Sequence, residues 1–466
     1  MIKKSCMYSA VFIALTPFLA SAAPANTVVA TINAGLSPNW LAVSPNNLIG
    51  YVANDNNNGV DVGTNHGDSV TVVDLTTNLP ITTIYDASFM EPYTITLNAA
   101  GTKAYVANSS GHTITIINTA TNSVSGIISG FDGPDGMVIT PDGNFAYVSN
   151  YGATPGAGSG NATTVNYVDL KTNAIIETIQ VGLAPASLAI SPDGAYVYVI
   201  DYRYGTPDDG TISIINTSDN SVELHAVTGL FGPFAIVISP DGKYAYVSNF
   251  GSNNFSPVGT TLSVVDLTSK TIIANINLGI QPSGVAITPD GRYVYVSNYN
   301  TLYMNQRYFT GLTAGQGTVN IIDLATNTVI PPTIDVGQSP GAITISPNGE
   351  FAYVANYIGN TISVIALQSF QITAQGCKTQ NKYLMRTDFI NKLTWTVTGT
   401  SLPVSYEIYR DAALTDLAGI VSAEGPLVFL DHNRNPKITD TYYIIGINQA
   451  GTSSEPVVIT VDECCC

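Results

Sequence analysis

The chain has 466 residues and a formal net charge of −17, with only 11% charged residues against 41 glycines and 26 tyrosines. A surface this acidic repels a phosphate backbone, so nucleic acid is excluded as an expected partner. The length exceeds one ordinary domain, and the wealth of Gly, Asn, Thr, Val and Tyr is a strand-and-turn vocabulary.

Residues 1–22 read as a secretory signal. Lys3 and Lys4 give a positive start, residues 7–19 a short apolar stretch, and Ala20, Ser21 and Ala22 the small residues of a cleavage site. Cys6 lies inside this segment and is not placed as a lipid-anchored cysteine would be. No later stretch reaches the roughly 20 apolar residues of a membrane helix, so no transmembrane segment is expected. The chain is expected to be exported, to the periplasm, the envelope surface or the medium.

Between residues 23 and 367 one phrase returns, clearest from Leu188 onward as Leu-Ala-Ile-Ser-Pro-Asp-Gly-Ala-Tyr-Val-Tyr-Val. A Gly-x-x-Pro lead-in precedes it, and an alternating Thr-Ile-Ser-Ile-Ile-Asn type of strand follows. Its Tyr-Val-x-Asn position falls at Asn54, Asn108, Asn150, Asp201, Asn249, Asn298 and Asn356, which makes seven copies. Each copy divides into four short strands. The first is small and apolar, and a Pro-Asp-Gly turn joins it to the Tyr-Val strand, Pro fixing φ and Gly supplying freedom. The third strand ends at Asp74, Asn118, Asp169, Asn216, Asp266 or Asp323, side chains suited to cap the turn that follows.

The seventh copy stops near Ile365 after its third strand, while residues 26–35 match the fourth strand of the other copies. The expected fold class is therefore all-β. A seven-bladed β-propeller is closed by the N-terminal strand, and its radial repetition limits exposed sheet edges. The Ser-Pro-Asp-Gly…Ala-Tyr-Val-Ser-Asn of residues 239–249 resembles the YVTN β-propeller repeat family, over roughly residues 26–366. That resemblance implies an exported or surface protein of prokaryotic type. The wider seven-bladed relatives include lactonases and polymer-binding proteins, so it specifies fold more narrowly than activity.

Residues 368–466 leave the repeat. Alternating segments at 393–395, 404–410, 427–430, 441–447 and 456–461 predict a β-sandwich, and Trp395 with its Tyr-x-Ile-Tyr-Arg and Tyr-Tyr-x-Ile neighbours resembles a fibronectin type III domain. Trp395 is expected in its core. Cys377 is expected to pair with one of Cys464, Cys465 and Cys466, leaving two cysteines free or joined to a partner chain.

Function is expected where the copies differ. The connections between second and third strands vary from four residues in the second and seventh copies to nineteen in the sixth, all on one face. The aromatic after the Asn/Asp position (Tyr151, Tyr202, Phe250, Tyr299, Tyr357) reads as part of the repeat. Tyr204, Tyr303, Arg307 and Tyr308 fall outside it and are the ligand-binding candidates. Tyrosines beside amides and carboxylates suit a glycan or an extracellular or envelope protein equally, so the expected function is an exported binding or adhesion protein.

Two alternatives stand beside it. A lactonase-like hydrolase at the channel mouth would draw on Glu91, Asp132, Asp135, His66 and His112, although a surface imidazole is the plainer account of each histidine. A structural surface-layer component would rest on the terminal cysteines. Asp55, Asn57 and Asp61 form an oxygen-rich stretch of the kind Ca²⁺ takes, but the closing acidic residue is missing and an Asn/Gly turn explains it as well. No cofactor is expected otherwise: nucleophile elbow, paired-cysteine, His-Glu-x-x-His and phosphate-loop patterns are all lacking.

Overall fold

A computed structural model describes residues 26–55, 68–152, 161–202, 210–251, 258–303, 312–367, 371–382, 387–398, 403, 405–432, 434, 438–447 and 457–461. Every regular element among them is a β-strand. In the first part of the chain the strands form four-stranded antiparallel sheets in chain order, at residues 38–84, 92–129, 134–180, 185–230, 233–277 and 282–338. A seventh sheet takes its first three strands from residues 340–366, and its fourth is Thr27–Asn33, paired antiparallel with Thr361–Ala366.

The leading strands of consecutive sheets touch. That of the seventh sheet, Pro340–Ile345, touches both Pro282–Ile287 of the sixth and Pro38–Val43 of the first. Between each pair of neighbouring sheets lies an apolar seam. Tyr105, Ile116 and Phe131 pack with Met137 and Val148 between the second and third, and Tyr353, Ile362 and Val364 pack with Leu41, Val52 and Ile32 between the seventh and first. Second and third strands are therefore buried on both faces, and at roughly 1.5–3 kcal/mol per enclosed Val, Leu or Ile these seams are the main stabilising force. The fourth strands face solvent on alternate residues, as in Thr271–Asn277.

Local chemistry explains the turns. In the Ser/Thr-Pro-Asp-Gly turn the Asp accepts the preceding hydroxyl and an amide two residues on, as when Ser239 Oγ (2.6 Å) and Lys243 N (3.1 Å) donate to Asp241 Oδ1. These bonds hold the Asp241 carboxyl below the usual carboxylate range, Ser239 being the largest cause. The turn between third and fourth strands is capped by its Asp, with Thr76 N donating to Asp74 Oδ1 at 2.8 Å. That turn then needs one left-handed residue, supplied by Asn78 (φ 57°), Asn122 (49°), Asn173 (56°), Asn220 (56°), Lys270 (56°) and Asn327 (53°). The tyrosine of the preceding sheet reaches this position: Tyr51 donates to Asn122 Oδ1 at 3.0 Å, and Tyr147 to Asn220 Oδ1 at 2.7 Å.

Two connections differ from the reading of the sequence. The nineteen-residue loop of the sixth copy contains a short hairpin, Thr301–Tyr303 against Leu312–Ala314. In the fifth copy the strands Tyr244–Gly251 and Val258–Asp266 run further than expected and shorten the connection, because Gly251 and Gly259 lack the Cβ that would block the close approach.

The C-terminal stretch forms a three-stranded sheet of Gln371–Lys382, Thr387–Thr398 and Val428–Asp431, and a four-stranded sheet of Leu417–Ser422, Ser405–Tyr409, Asp440–Ile447 and Val457–Val461. One apolar cluster joins them, with Leu393 and Trp395 from the first against Tyr406, Ile408, Tyr442 and Ile459 from the second. Trp395 is 5% exposed and meets Tyr406 edge-on, ring centroids 5.3 Å apart. Cys377 lies opposite Lys392 in the long hairpin. Its candidate disulfide partners Cys464, Cys465 and Cys466 are outside the described residues.

Candidate functional site

Seven equivalent pairings orient the repeat: Pro38 with Asn54, Pro92 with Asn108, Pro134 with Asn150, Pro185 with Asp201, Pro233 with Asn249, Pro282 with Asn298 and Pro340 with Asn356. Each lead-in to a first strand therefore lies beside the start of its second-to-third connection, at one end of the sheets. The pairing is held by a buried amide. Asn298 Nδ2 donates to Thr318 Oγ1 (3.0 Å) and Asn320 Oδ1 (2.7 Å), and Asn356 Nδ2 to Thr361 Oγ1 (3.0 Å) and Ser363 Oγ (2.9 Å).

The fourth sheet breaks this rule. Asp201, fully buried, accepts from Thr211 Oγ1 (2.9 Å) and Ser213 Oγ (2.6 Å), and His225 Nδ1 lies 3.7 Å from the same oxygen. Burial pushes the Asp201 carboxyl up, and the two hydroxyls and His225 pull it part of the way back.

At this end of the sheets several residues just after the lead-in prolines and just after the Asn/Asp positions meet. Tyr93 is the second residue of Pro92–Leu97, and its phenol is pushed well up, first by burial and then by the neighbouring Asp135, Tyr151, Asp55 and Tyr202. These groups come from four successive sheets. The Tyr151 and Tyr202 rings stand 6.4 Å apart, and the series continues through Phe234, Phe250 and Tyr299 with centroids 5.4 and 5.9 Å apart. Asp55, 8% exposed, accepts from Asn39 Nδ2 at 2.6 Å and from the Tyr357 hydroxyl at 3.2 Å. Asp135 is the second residue of Pro134–Ile139; its carboxyl has no hydrogen-bond partner among the described residues, and burial alone pushes it up to about 7.

The described basic residues are segregated and the acidic ones are not. Carboxylates lie at both ends, with Asp55, Asp68, Glu91, Asp132 and Asp135 at this one and Asp74, Asp142, Asp169, Asp193, Asp241, Asp266, Asp290 and Asp323 in the turns of the other. Every described lysine and arginine of residues 26–367 (Lys103, Lys171, Lys243, Lys270 and Arg292) lies at the other end, in or beside the turns there. Those turns also line a groove of about 310 Å³ between the fourth and fifth sheets, with Tyr196, Tyr198, Asp193 and Asp241 in its wall.

The expected site residues divide accordingly. Tyr204, Arg307, Tyr308, His66, Asn57 and Asp61 lie outside the described residues, and Tyr303 is described by its backbone alone. Glu91 accepts the Ser110 hydroxyl, and its own N–H donates to Asp68 Oδ2 at 3.1 Å. His112 is tied to the neighbouring lead-in, its Nδ1 accepting from Gly133 N at 3.1 Å. Asp132 is exposed and sits beside Asn150, whose Oδ1 accepts its N–H at 3.0 Å. Among the described residues no three His, Cys, Asp or Glu side chains are grouped to hold a metal ion. Of the candidates, only Asp55 and Asp135 join the aromatic mouth. Sequence reasoning missed Tyr93. Its signal was the position after the lead-in proline, which varies (Asn39, Tyr93, Asp135, Ala186, Phe234, Ser283, Gly341) within an otherwise regular phrase.

Likeness to known proteins supports the fold. The family model of the cytochrome D1 heme domain matches residues 205–305, a stretch too short to assign the whole chain to that family. PE-PGRS family protein PE_PGRS18 of Mycobacterium tuberculosis (strain ATCC 25618 / H37Rv) is 38% identical over 60 residues, so the chain spans 13% of that relative's length and 13% of its own is matched. Hydrazine synthase of Kuenenia stuttgartiensis superposes with a TM-score of 0.58 at 20% identity, covering 75% of this chain and 99% of that one. At that identity the likeness shows architecture and carries no chemistry. The chain is a β-propeller repeat protein.

Proposed function

We propose that this is an exported binding protein: a signal at residues 1–22, a seven-bladed propeller at 23–367 that takes a glycan or an extracellular protein at the mouth of its axis, and a fibronectin type III-like sandwich at 368–466. Closure by the N-terminal strand is supported by Asn26. It has the left-handed φ (56°) of the other turn positions, and its Oδ1 accepts the Tyr295 hydroxyl at 2.8 Å, as Asn122 and Asn220 accept Tyr51 and Tyr147.

The observation that carries the binding reading is the mouth itself. Tyr93, Tyr151, Tyr202 and Phe250 gather at the end where the connections lengthen, although four residues suffice to join second and third strands in the second and seventh sheets. Rigid rings on a fixed scaffold offer contact area at low entropic cost. The test is binding of the purified chain to an array of glycans and extracellular proteins, beside a Tyr93→Ala variant and one with residues 301–314 replaced by a two-glycine turn. Binding by the parent that both variants lose is the expected result. A folded parent that binds nothing on the array would remove this reading.

A further inference from the structure

At the end of the sheets opposite the mouth, the seams between sheets follow a rule with one exception. Six carry an asparagine at the left-handed turn position, namely Asn26, Asn78, Asn122, Asn173, Asn220 and Asn327. In three of these the tyrosine of the preceding sheet donates to it, Tyr51 to Asn122, Tyr147 to Asn220 and Tyr295 to Asn26. Between the fourth and fifth sheets the position is Lys270, and its side chain pairs instead with Glu223 on the strand Val222–Leu230. The groove of about 310 Å³ lies in this same seam.

We propose that the groove is a second binding site, separate from the mouth, for one neutral sugar unit. The ring of Tyr196 lies against the sugar's apolar face, and the Tyr198 hydroxyl with Asp193 and Asp241 takes its hydroxyls.

Four observations converge on that occupant. First, the groove stands where the asparagine that fills the other seams is missing, and its size is at the lower end of the range for small-molecule sites. Second, Tyr198 is 5% exposed and forms part of the wall, yet no group among the described residues bonds its hydroxyl. A phenol so enclosed calls for a partner. Third, five sheets open their second strand with an aromatic residue (Phe145, Tyr196, Tyr244, Tyr293, Phe351), and Tyr196 is the most exposed of them at 43%. Phe145 stacks on Tyr167 and Tyr293 lies under Arg292, whereas Tyr196 meets no other ring among the described residues. Fourth, the carboxylates of the lip are held in place by their own turns. Asp193 Oδ1 accepts from Ser191 Oγ (2.5 Å) and Ala195 N (3.0 Å), as Asp241 Oδ1 does from Ser239 Oγ and Lys243 N.

Charge and hydrogen-bonding capacity narrow the class. An anion would meet two fixed charges of its own sign, and the lysines at hand are already paired, Lys243 with Asp241 at 3.2 Å and Lys270 with Glu223. An ammonium group could donate to the carboxylates but could not accept from the Tyr198 phenol. A sugar hydroxyl does both.

The probes are the methyl glycosides of glucose, galactose and mannose, titrated into the full purified chain and followed by saturation-transfer NMR. Tetramethylammonium serves as the cation control and cyclohexanol as the apolar one. Saturable binding of at least one glycoside with a Kd of about 1–10 mM is expected, both controls being at least about tenfold weaker. Tyr196→Ala should weaken the glycoside about tenfold, and Tyr198→Phe, which keeps the ring, about three- to tenfold. Lys270→Asn restores the asparagine of the other seams and should abolish binding while the melting temperature rises, a combination that damage to the fold would not give. Tyr93→Ala should leave the glycoside unaffected, so this site and the mouth stand or fall separately. No glycoside saturating below about 50 mM overturns the inference, as does binding indifferent to both Tyr198→Phe and Lys270→Asn. Tighter binding of tetramethylammonium than of every glycoside overturns it too.

Discussion

Asp201 shows how much one atom matters in a repeat. Six sheets place an amide between the two side chains of the third strand, and the fourth places a carboxylate there, fully buried. Because burial raises the carboxyl above its unfolded value, the folded chain holds that proton more tightly than the unfolded chain. Its contribution to stability is full below the ordinary carboxylate range and is lost as pH rises through the raised value. Asp201→Asn should therefore gain on the parent as pH rises above the ordinary carboxylate range, read as a widening difference in urea midpoints. Asp135, pushed up to about 7, has the same sign, so Asp135→Asn should open a similar gap that is complete by about pH 8. A second irregularity is Lys270, which occupies the left-handed position that asparagine fills elsewhere. Lys270→Asn suits that φ and offers Tyr198 the acceptor that Asn122 and Asn220 provide. The melting temperature should rise by the equivalent of about 0.5–1 kcal/mol, less any loss of the exposed pair with Glu223.

Elements are where the sequence spoke most clearly. The Pro-Asp-Gly turns and the third-strand caps were legible because each depends on a short side chain bonding its own backbone, a signal that survives without tertiary context. The hairpin Thr301–Tyr303 with Leu312–Ala314 was not, since Leu302 and Leu312 give no sustained alternation. Nor was the mouth, because Tyr93, Asp135 and Tyr202 are far apart in the chain and meet only through the ring of leading strands. The closeness of those strands has its own test. A Cβ at Gly284 would lie 2.6 Å from Gly341 O and Ile343 N, backbone atoms of the neighbouring sheet. Gly284→Val should cost about 1–3 kcal/mol in urea unfolding, and an unaltered midpoint would mean the sheets can part without penalty. Asn298→Asp would put a carboxylate where Asn320 Oδ1 now accepts a hydrogen bond, with an expected loss of about 1–3 kcal/mol at neutral pH that shrinks on acidification.

For the whole molecule the decisive contact is Thr27–Asn33 on Thr361–Ala366. Removing it would bare the edge of the seventh sheet and open the seam in which Ile32 is 1% exposed. A chain begun at residue 35 should melt lower and in more than one calorimetric step, and elute partly as aggregate. Adding a peptide of residues 26–34 should restore a single transition. Unchanged melting of the shortened chain would show that the ring holds without its clasp.

The same clasp sets a clock. Its two halves are separated by about 340 residues, which at synthesis rates of about 5–20 residues per second leave the ribosome on the order of half a minute apart. Throughout that interval the strand Thr27–Asn33 has no partner, because Thr361–Ala366 has yet to be made. The seventh sheet is therefore completed only when almost the last of the repeat has been made, later than in a domain that completes itself from its beginning.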